Sequence, residues 1–239
     1  MSRTQQDAFV AAADRWACVI VGDLPDVVLD GEAIDDVLVL ASGATIDGVG
    51  GTLGEAGPTH IRVGGAPCRG EMRFDLADLE SMESEGILVD VITHEMGHVL
   101  GIGTLWASHG LIQDLDGPDP RYTGRVAMVE YGRLTGSHPE AVPVENQGGP
   151  GSRGSHWRDE VFRHELMTSA IGGVNNPISR MTVASLIDLG YQVDLEAAEP
   201  YTFPVPIEGA ALTRKRLAGE FERPAFRTIT EREAVESGS

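Results

Sequence analysis

Lysine is almost absent from this chain. Lys215 is the single lysine among 18 basic residues, 37 residues are acidic, and the formal net charge is −19. A surface of that sign repels the phosphates of nucleic acids and of anionic membranes. We therefore expect no nucleic-acid partner, whereas divalent cations or basic peptides suit the charge.

Long apolar segments are also missing. No run of about 18 apolar residues occurs, so no membrane span is predicted. The N-terminus, Met1–Gln6, is polar, and the apolar stretch behind it is interrupted by Asp14 and Arg15. This pattern does not match a cleavable secretory signal. We expect a cytoplasmic protein, a trimmed mature form, or a protein that is secreted by another route.

Cysteine is scarce as well, with only Cys18 and Cys68 in the chain. The two could form one disulfide in an oxidising compartment. The alternative is two small buried residues. Neither lies in a Cys-x-x-Cys spacing, so a cysteine-based metal site is not predicted.

The hydrophobic fraction is 41% of 239 residues, which is enough for a proper core. Helices are predicted over residues 7–16, 125–134 and 179–189, and strands over 17–21, 36–41, 60–63 and 71–74. The glycine-rich stretch 42–58 is predicted as an irregular loop. This order along the chain, a helix, then strands, then mostly loop and helix, indicates an α+β fold.

A His-Glu-x-x-His motif occupies residues 94–98, behind a strand-like apolar run at 87–92. On a helix, His94 and His98 share one face and lie roughly 6 Å apart along the axis. That spacing suits two nitrogen ligands of one zinc ion. Glu95 adjoins the first ligand, can reach a metal-bound water and can take its proton.

The alternative is a helix with two ordinary surface histidines. Gly97 argues against it, because glycine inside a helix costs about 1 kcal/mol relative to alanine. A small residue there indicates the close approach of a backbone or a substrate. The helix is expected to end near Gly101 or Gly103, which lets the chain turn towards a third ligand.

A catalytic zinc normally keeps three protein ligands and a water. Thr104, three residues beyond Gly101, stands at the usual third-ligand position of the metzincin class, and threonine is not a ligand there. The remaining histidines are His60, His109, His138, His156 and His164. Spacing alone does not choose among them.

A longer pattern resembles the leishmanolysin-like metallopeptidases. It consists of residues 94–106, 155–157 and 165–168, with further matches at 142–149, 186–191 and 200–201. The resemblance covers about residues 8–205. It implies that His156 is the third zinc ligand, after a long insertion, and that Met167 is the Met-turn methionine, an apolar floor beneath the zinc. His164, just before that turn, is expected not to bind the metal.

The resemblance also implies a metzincin-like α+β fold. An N-terminal subdomain, about residues 1–103, would carry a twisted mixed sheet and two helices. A C-terminal subdomain of loops and helices, about 104–206, would close an active-site cleft from the other side. Residues 71–74 are expected as the edge strand beside the cleft, able to hold a peptide by strand addition. Residues 207–239 are predicted to be a charged tail.

The loop at residues 47–56 resembles the S-shaped calcium-binding loop of matrix-type metzincins. The resemblance implies that Asp47, Asp75 and Asp78 hold a structural calcium ion, for which hard oxygen ligands are suited. Glu55 stands where that family uses a zinc-binding histidine, so a second zinc is not expected. The alternative is a glycine-rich turn with solvated acids.

Together these features predict a zinc-dependent endopeptidase. His94, His98 and His156 would bind zinc, and Glu95 would act as general base towards a water that attacks a peptide bond. Its partners would be protein or peptide substrates. The rivals are an inactive zinc-containing protein-binding module, against which the intact Glu95 argues, and a zinc hydrolase acting on a non-peptide amide.

Overall fold

The computed structural model describes residues 2–149, 151–204, 215–216 and 226–229. Its helices are α1 (Arg3–Val19), α2 (Leu79–Ser84), α3 (Leu88–Val99), α4 (Arg125–Thr135), α5 (Asp159–Phe162) and α6 (Arg180–Asp188). Its strands are β1 (Val27–Leu29), β2 (Glu32–Ile34), β3 (Leu38–Ala44), β4 (Gly54–Ile61), β5 (Pro67–Asp75), β6 (Ile112–Gln113), β7 (Arg121–Tyr122), β8 (Val142–Pro143), β9 (Ala170–Ile171), β10 (Lys215–Arg216) and β11 (Arg227–Thr228). The α+β prediction is confirmed.

The largest sheet has the strand order β11-β4-β5-β3. Strand β4 runs antiparallel to β5, while β3 is parallel to β5 and β11 is parallel to β4. Met72 and Phe74 of this sheet share one buried cluster with Val91 and Ile92 of α3. The sheet is therefore the support on which the motif helix lies.

The prediction that residues 71–74 form an edge strand is wrong. They belong to β5, which is hydrogen-bonded to β4 on one side and to β3 on the other. Strand β3 runs through Ala44 and pairs with β5 over its full length, so the outer position falls to β3 instead. Within the described residues, the opposite edge is β4, covered by β11 only at residues 60–61.

Helix α1 is longer than predicted. It begins behind a capping box, in which Ser2 and Gln5 exchange hydrogen bonds, and it continues through Val19. The strand predicted at 17–21 is therefore wrong. The apolar run belongs to a helical stripe in which Trp16 and Val19 are both buried, and a short apolar run does not by itself distinguish the two structures.

The loop predicted over residues 42–58 is wrong at both ends, because β3 extends to Ala44 and β4 begins at Gly54. The glycines and Pro58 suggested a loop. Strand β4 tolerates them because it lies at the side of the sheet, where a proline without an N–H can be accommodated. Only residues 45–53 between the two strands are irregular.

The helices predicted around the motif and in the second half of the chain are confirmed as α3, α4 and α6. Helix α3 begins at Leu88, so the strand-like run at 87–92 is its first part. Gly101 and Gly103 follow its end with φ of 103° and 77°, values that favour glycine. Helix α6 begins behind Ser179, whose side chain accepts the backbone N–H of Thr182.

The second half of the described chain is organised by an aromatic cluster. The ring centroids of Trp106 and Trp157 lie 4.4 Å apart, and those of Trp106 and Tyr122 lie 4.8 Å apart. Phe162 packs beside Trp157 with ring centroids 6.3 Å apart. This core fixes the segment that precedes and follows residue 156.

Both cysteines are free. The disulfide alternative is therefore wrong, and the buried alternative holds for Cys68 but not for the exposed Cys18. Of the segment predicted as a tail, residues 215–216 pair with β9 and residues 227–228 pair with β4, while 207–214, 217–225 and 230–239 lie outside the described residues. Within the described ranges, no helix combines the length and apolar character needed to cross a bilayer.

Candidate metal centre

Three buried imidazoles converge at the C-terminal half of α3. The Nε2 atoms of His94 and His98 are 2.9 Å apart, and the Nε2 atom of His156 lies 3.1 Å and 3.0 Å from them, respectively. Zinc–nitrogen bonds of about 2.0–2.1 Å place two ligands of one ion about 3 Å apart. The group has the composition and spacing needed to hold a metal ion.

The opposite nitrogen of each ring faces a backbone carbonyl oxygen. The Nδ1 contacts are His94 to Leu166 at 2.7 Å, His98 to Ile102 at 2.9 Å and His156 to Ser152 at 3.0 Å. A carbonyl can only accept, so each Nδ1 carries the proton and each Nε2 presents a lone pair. Three lone pairs that face one another without a donor fit a cation.

Burial keeps these imidazoles neutral. Desolvation lowers the pKa of His98 to about 3 and that of His156 to about 4. The pKa of His94 is also lowered well below its usual value, first by burial and then by the two neighbouring rings. The neutral ring is the form that binds a metal ion.

Glu95 lies beside the group and is 1% exposed. Neither of its carboxylate oxygens has a hydrogen-bond partner within the described part of the chain. Burial raises the pKa of Glu95 well above its usual value, and the nearby Glu55 raises it further. An unpaired buried carboxylate is costly, and a cation at the adjacent imidazoles would offset that cost. The residues therefore fit a metal ion.

Helix α3 is anchored from its first turn. Asp90 accepts hydrogen bonds from Arg15 Nη1 at 2.9 Å and from the backbone N–H of Asn176 at 3.0 Å. The indole N–H of Trp16 donates to the carbonyl of Thr93 at 2.8 Å. These contacts tie the ligand-bearing helix to α1 and to the segment before α6.

At Gly97, two side chains pack closely against α3. A Cβ there would lie 2.8 Å from the Met167 sulfur and 3.0 Å from the indole of Trp16. A close approach is present at Gly97, as predicted, but it is made by two side chains and not by a backbone. Met167 is fully buried, in contact with the helix between the two ligand histidines.

The segment that carries His156 is held by Glu145. The backbone N–H of Glu145 donates to the carbonyl of His156 at 2.9 Å, and its carboxylate accepts the backbone N–H of Asp159 at 3.1 Å and the hydroxyl of Ser169 at 2.7 Å. Sequence reasoning assigned no role to Glu145. The available signal was an acidic residue that directly follows the apolar stretch 142–144, where a solvated acid would be out of place.

Gly103 brings the end of α3 and the His156 segment together. Its φ is 77°, and a Cβ at this position would overlap the carbonyl oxygen of Ser155. Because a backbone atom cannot move aside as a flexible side chain does, the contact requires glycine. Gly110 has a similar φ of 67° but no atom within 4 Å of the corresponding Cβ.

Gly103→Ala is expected to destabilise the protein more than Gly110→Ala. The left-handed backbone alone costs an L-residue about 1–2 kcal/mol, which applies to both variants. Overlap with Ser155 adds about 1–3 kcal/mol at residue 103. Urea unfolding of both variants measures the difference, and equal losses would contradict the close packing of this contact.

The other histidines lie outside the group. His109 Nδ1 contacts the carbonyl of Leu105 at 3.0 Å, and the exposed His164 packs against Tyr201 with ring centroids 5.1 Å apart. His60 and His138 are likewise not among the three converging residues. The hydroxyl of Thr104 donates to the carbonyl of His98 at 2.7 Å, so it stabilises the end of α3.

The acids predicted to bind calcium accept hydrogen bonds from the loop instead. Asp75 accepts the backbone N–H groups of Ile46 at 3.2 Å, Asp47 at 2.9 Å, Gly48 at 2.8 Å and Ala77 at 2.9 Å. Asp78 accepts from Gly50 at 2.9 Å, and Asp47 accepts from Thr52 at 2.8 Å. Among the described residues, these three carboxylates are not gathered as metal ligands would be. This geometry gives the calcium prediction no support.

Asp75→Asn is expected to lower the free energy of unfolding by about 1–3 kcal/mol, because the amide group offers one acceptor where several N–H groups converge. The N–H of Ala77 first, then that of Gly48, lowers the pKa of Asp75. The stabilisation that the ionised Asp75 carboxylate gives to the folded protein is therefore present above the unfolded-state pKa of about 3.9, and it is lost as the pH falls through the lower folded-state pKa. Urea unfolding at several pH values checks this, and stability that depends on added calcium would contradict it.

A helix with two imidazoles, a distant third imidazole and a buried glutamate beside the first imidazole together give a His-Glu-x-x-His arrangement that could hold a metal ion, as in zinc metallopeptidases. The sequence pattern of the leishmanolysin peptidases matches residues 5–217. The chain belongs to the leishmanolysin family, as the resemblance in its motifs implied.

Individual relatives agree with this membership. The chain is 29% identical to leishmanolysin of Leishmania chagasi over 206 residues, which cover 78% of this chain and 33% of that protein. It is 30% identical to leishmanolysin of Leishmania major over 193 residues, which cover 76% of this chain and 31% of that protein. A leishmanolysin-like peptidase of Caenorhabditis elegans is 42% identical over 62 residues, which cover 25% of this chain and 9% of that protein. The chain spans about a third of the length of the Leishmania proteins.

Proposed function

We propose that this chain is a zinc-dependent endopeptidase. The observation that carries the proposal is the convergence of three Nε2 lone pairs beside Glu95, whose two oxygens have no partner among the described residues. Membership of a family of metallopeptidases supports the same reading. We further propose residues 1–206 as the catalytic domain, with a metzincin-like cleft between its two subdomains.

His94, His98 and His156 would hold the zinc ion. Zinc, when bound, supplies Lewis acidity that lowers the pKa of a coordinated water to about 7 and polarises the carbonyl of the substrate. The carbonyl partners of the three Nδ1 atoms keep each ring in the tautomer that this binding needs.

Glu95 would act as general base and then as proton donor. Its carboxylate lies next to the first ligand along α3, and no hydrogen bond from the described chain competes for its oxygens. The oxygens are therefore able to accept the proton of the attacking water and to pass it to the leaving amine. Gly54 leaves room for this side chain, since a Cβ there would lie 3.1 Å from Glu95 Oε1.

Strand β4 is our proposal for the strand that holds an extended peptide. Its first residue, Gly54, adjoins Glu95, and within the described residues no strand pairs with the outer side of β4 between 54 and 58. A strand edge without a strand partner can bind a peptide through main-chain hydrogen bonds. This assignment replaces residues 71–74, which lie inside the sheet.

A digest of a mixed peptide library by the purified, zinc-loaded protein tests the function. We expect new termini within the peptides, no cleavage after chelation, and recovery when zinc is returned. Zinc binding without any cleavage would instead favour the binding module. Hydrolysis of small amides alone would favour the non-peptide hydrolase.

A further inference from the structure

Glu165 is a fully buried carboxylate that the proposed chemistry does not use. It lies two residues before Met167 and is 0% exposed. One carboxylate oxygen accepts the backbone N–H of Met167 at 2.6 Å. The other accepts the backbone N–H of Ser179 at 3.2 Å, the Ser179 hydroxyl at 2.8 Å and the hydroxyl of Thr182.

A buried carboxylate is retained at low cost only where donors surround it. Here the donors come from two separate parts of the chain. Met167 belongs to the turn beneath α3, while Ser179 and Thr182 form the N-terminus of α6, a position that also favours negative charge. Glu165 therefore joins the Met167 turn to a regular helix.

The same turn contacts the first metal-binding histidine. Leu166, between Glu165 and Met167, accepts the Nδ1 hydrogen bond of His94 at 2.7 Å. The backbone N–H of Leu166 donates to the carbonyl of Pro177 at 3.0 Å. The carbonyl that accepts from His94 belongs to the peptide group between Leu166 and Met167, and the N–H of that same peptide group donates to the Glu165 carboxylate.

The turn also contacts the segment of the third histidine. The backbone N–H of Trp157, which follows His156, donates to the carbonyl of Met167 at 2.9 Å. The indole N–H of Trp157 donates to the Thr182 hydroxyl at 2.8 Å, and that hydroxyl donates in turn to Glu165. Two hydrogen-bonded routes therefore lead from the carboxylate to the neighbourhood of His156.

We propose that Glu165 is a positioning residue for the metal centre. By fixing the Met167 turn against α6, it sets the orientation of His94 and the place of His156. The proposal rests on the proposed function only in that the three histidines bind zinc. It concerns the geometry of the ligands and is independent of which bond the protein hydrolyses.

Glu165→Gln tests the proposal with almost no change in size. In the wild type, each Glu165 oxygen accepts hydrogen bonds, one from Met167 and the other from Ser179 and Thr182. In glutamine, one of these oxygens is replaced by an NH2 group, which cannot accept a hydrogen bond, so the turn loses one of its two attachments. We expect the zinc dissociation constant, measured by competition with a chromophoric chelator, to rise about 10–100-fold. The absorption bands of the cobalt(II)-substituted protein should also shift, because they report ligand geometry.

Asp188→Asn is the matched control. Asp188 accepts the backbone N–H groups of Val126 at 2.9 Å and Ala127 at 3.0 Å, so it too is a carboxylate at a helix N-terminus. It also accepts the hydroxyl of Tyr122 at 3.4 Å, and none of these contacts involves the three histidines. We expect this variant to keep wild-type zinc affinity and the wild-type cobalt spectrum, even where its melting temperature without metal falls.

Thr182→Val provides a second route if Glu165→Gln does not fold. It removes the hydroxyl that links Trp157 to Glu165, and a smaller rise of the zinc dissociation constant is expected. Wild-type zinc affinity and cobalt spectrum in Glu165→Gln, or in Thr182→Val if the first variant is unfolded, would overturn the proposal. A wild-type protein that binds zinc but cleaves nothing would overturn the proposed function and leave this inference standing.

Discussion

Glu95→Gln is expected to keep its zinc and to lose nearly all peptide hydrolysis, by a factor on the order of 10²–10⁴, which is the usual contribution of a general base. The amide has the shape of the carboxylate but cannot take a proton from water. The three imidazoles that would hold the metal are untouched, since Glu95 makes no hydrogen bond to them. Casein hydrolysis and zinc content are measured on the same preparation.

Glu130→Gln is the control for this result. Glu130 is also a buried glutamate, 4% exposed, but it pairs with Arg133 and Arg180 on α4 and α6, outside the metal centre. We expect the control to lose stability and to keep turnover per folded molecule. Glu95→Gln that cleaves casein at the wild-type rate would rule out the proposed role of this glutamate.

The parts of the fold that depend on local spacing could be predicted. The helices α3, α4 and α6 follow from a motif, an apolar period and a glycine or capping residue at the end. The short apolar run at 17–21 was assigned wrongly, because the same few residues suit the end of a helix as well as a strand.

Strand pairing could not be predicted, because it is decided by residues far apart in the chain. Whether 71–74 lie at an edge depends on β3, which pairs with them from the other side of the 45–53 loop. The acids of that loop show the same limit. Asp75 resembles a metal ligand in sequence, and only the folded loop reveals four N–H groups directed at it.

Sequence reasoning found one part of the site and missed another. One turn of helix brings His94 and His98 together, whereas His156 was assigned through family resemblance. Glu145 and Glu165 lie inside the matching stretches 142–149 and 165–168, but no role was predicted for either, since one glutamate does not stand out in a chain with 37 acidic residues. Their burial becomes visible only when the turn at Met167 and the segment at residue 156 are packed together.

His156→Ala is expected to lose most of its bound zinc. Removing a ligand should weaken binding by more than the roughly 10–100-fold that follows loss of a ligand's hydrogen-bond partner. Zinc per protein after gel filtration measures this, with circular dichroism to show that the fold is retained. His109→Ala and His164→Ala are the controls, because neither side chain belongs to the converging group, and both should keep wild-type zinc.

The variant at residue 156 is more informative than one at residue 94 or 98. Two histidines four apart meet on any helix, so zinc loss on removing either of them tests little beyond the helix itself. His156 lies on a distant segment, whose carbonyl at residue 156 is held by Glu145 and whose approach to α3 is allowed by Gly103. Stoichiometric zinc in His156→Ala, or zinc loss in either control, would therefore reject both the ligand set and the packing that brings the third imidazole into place.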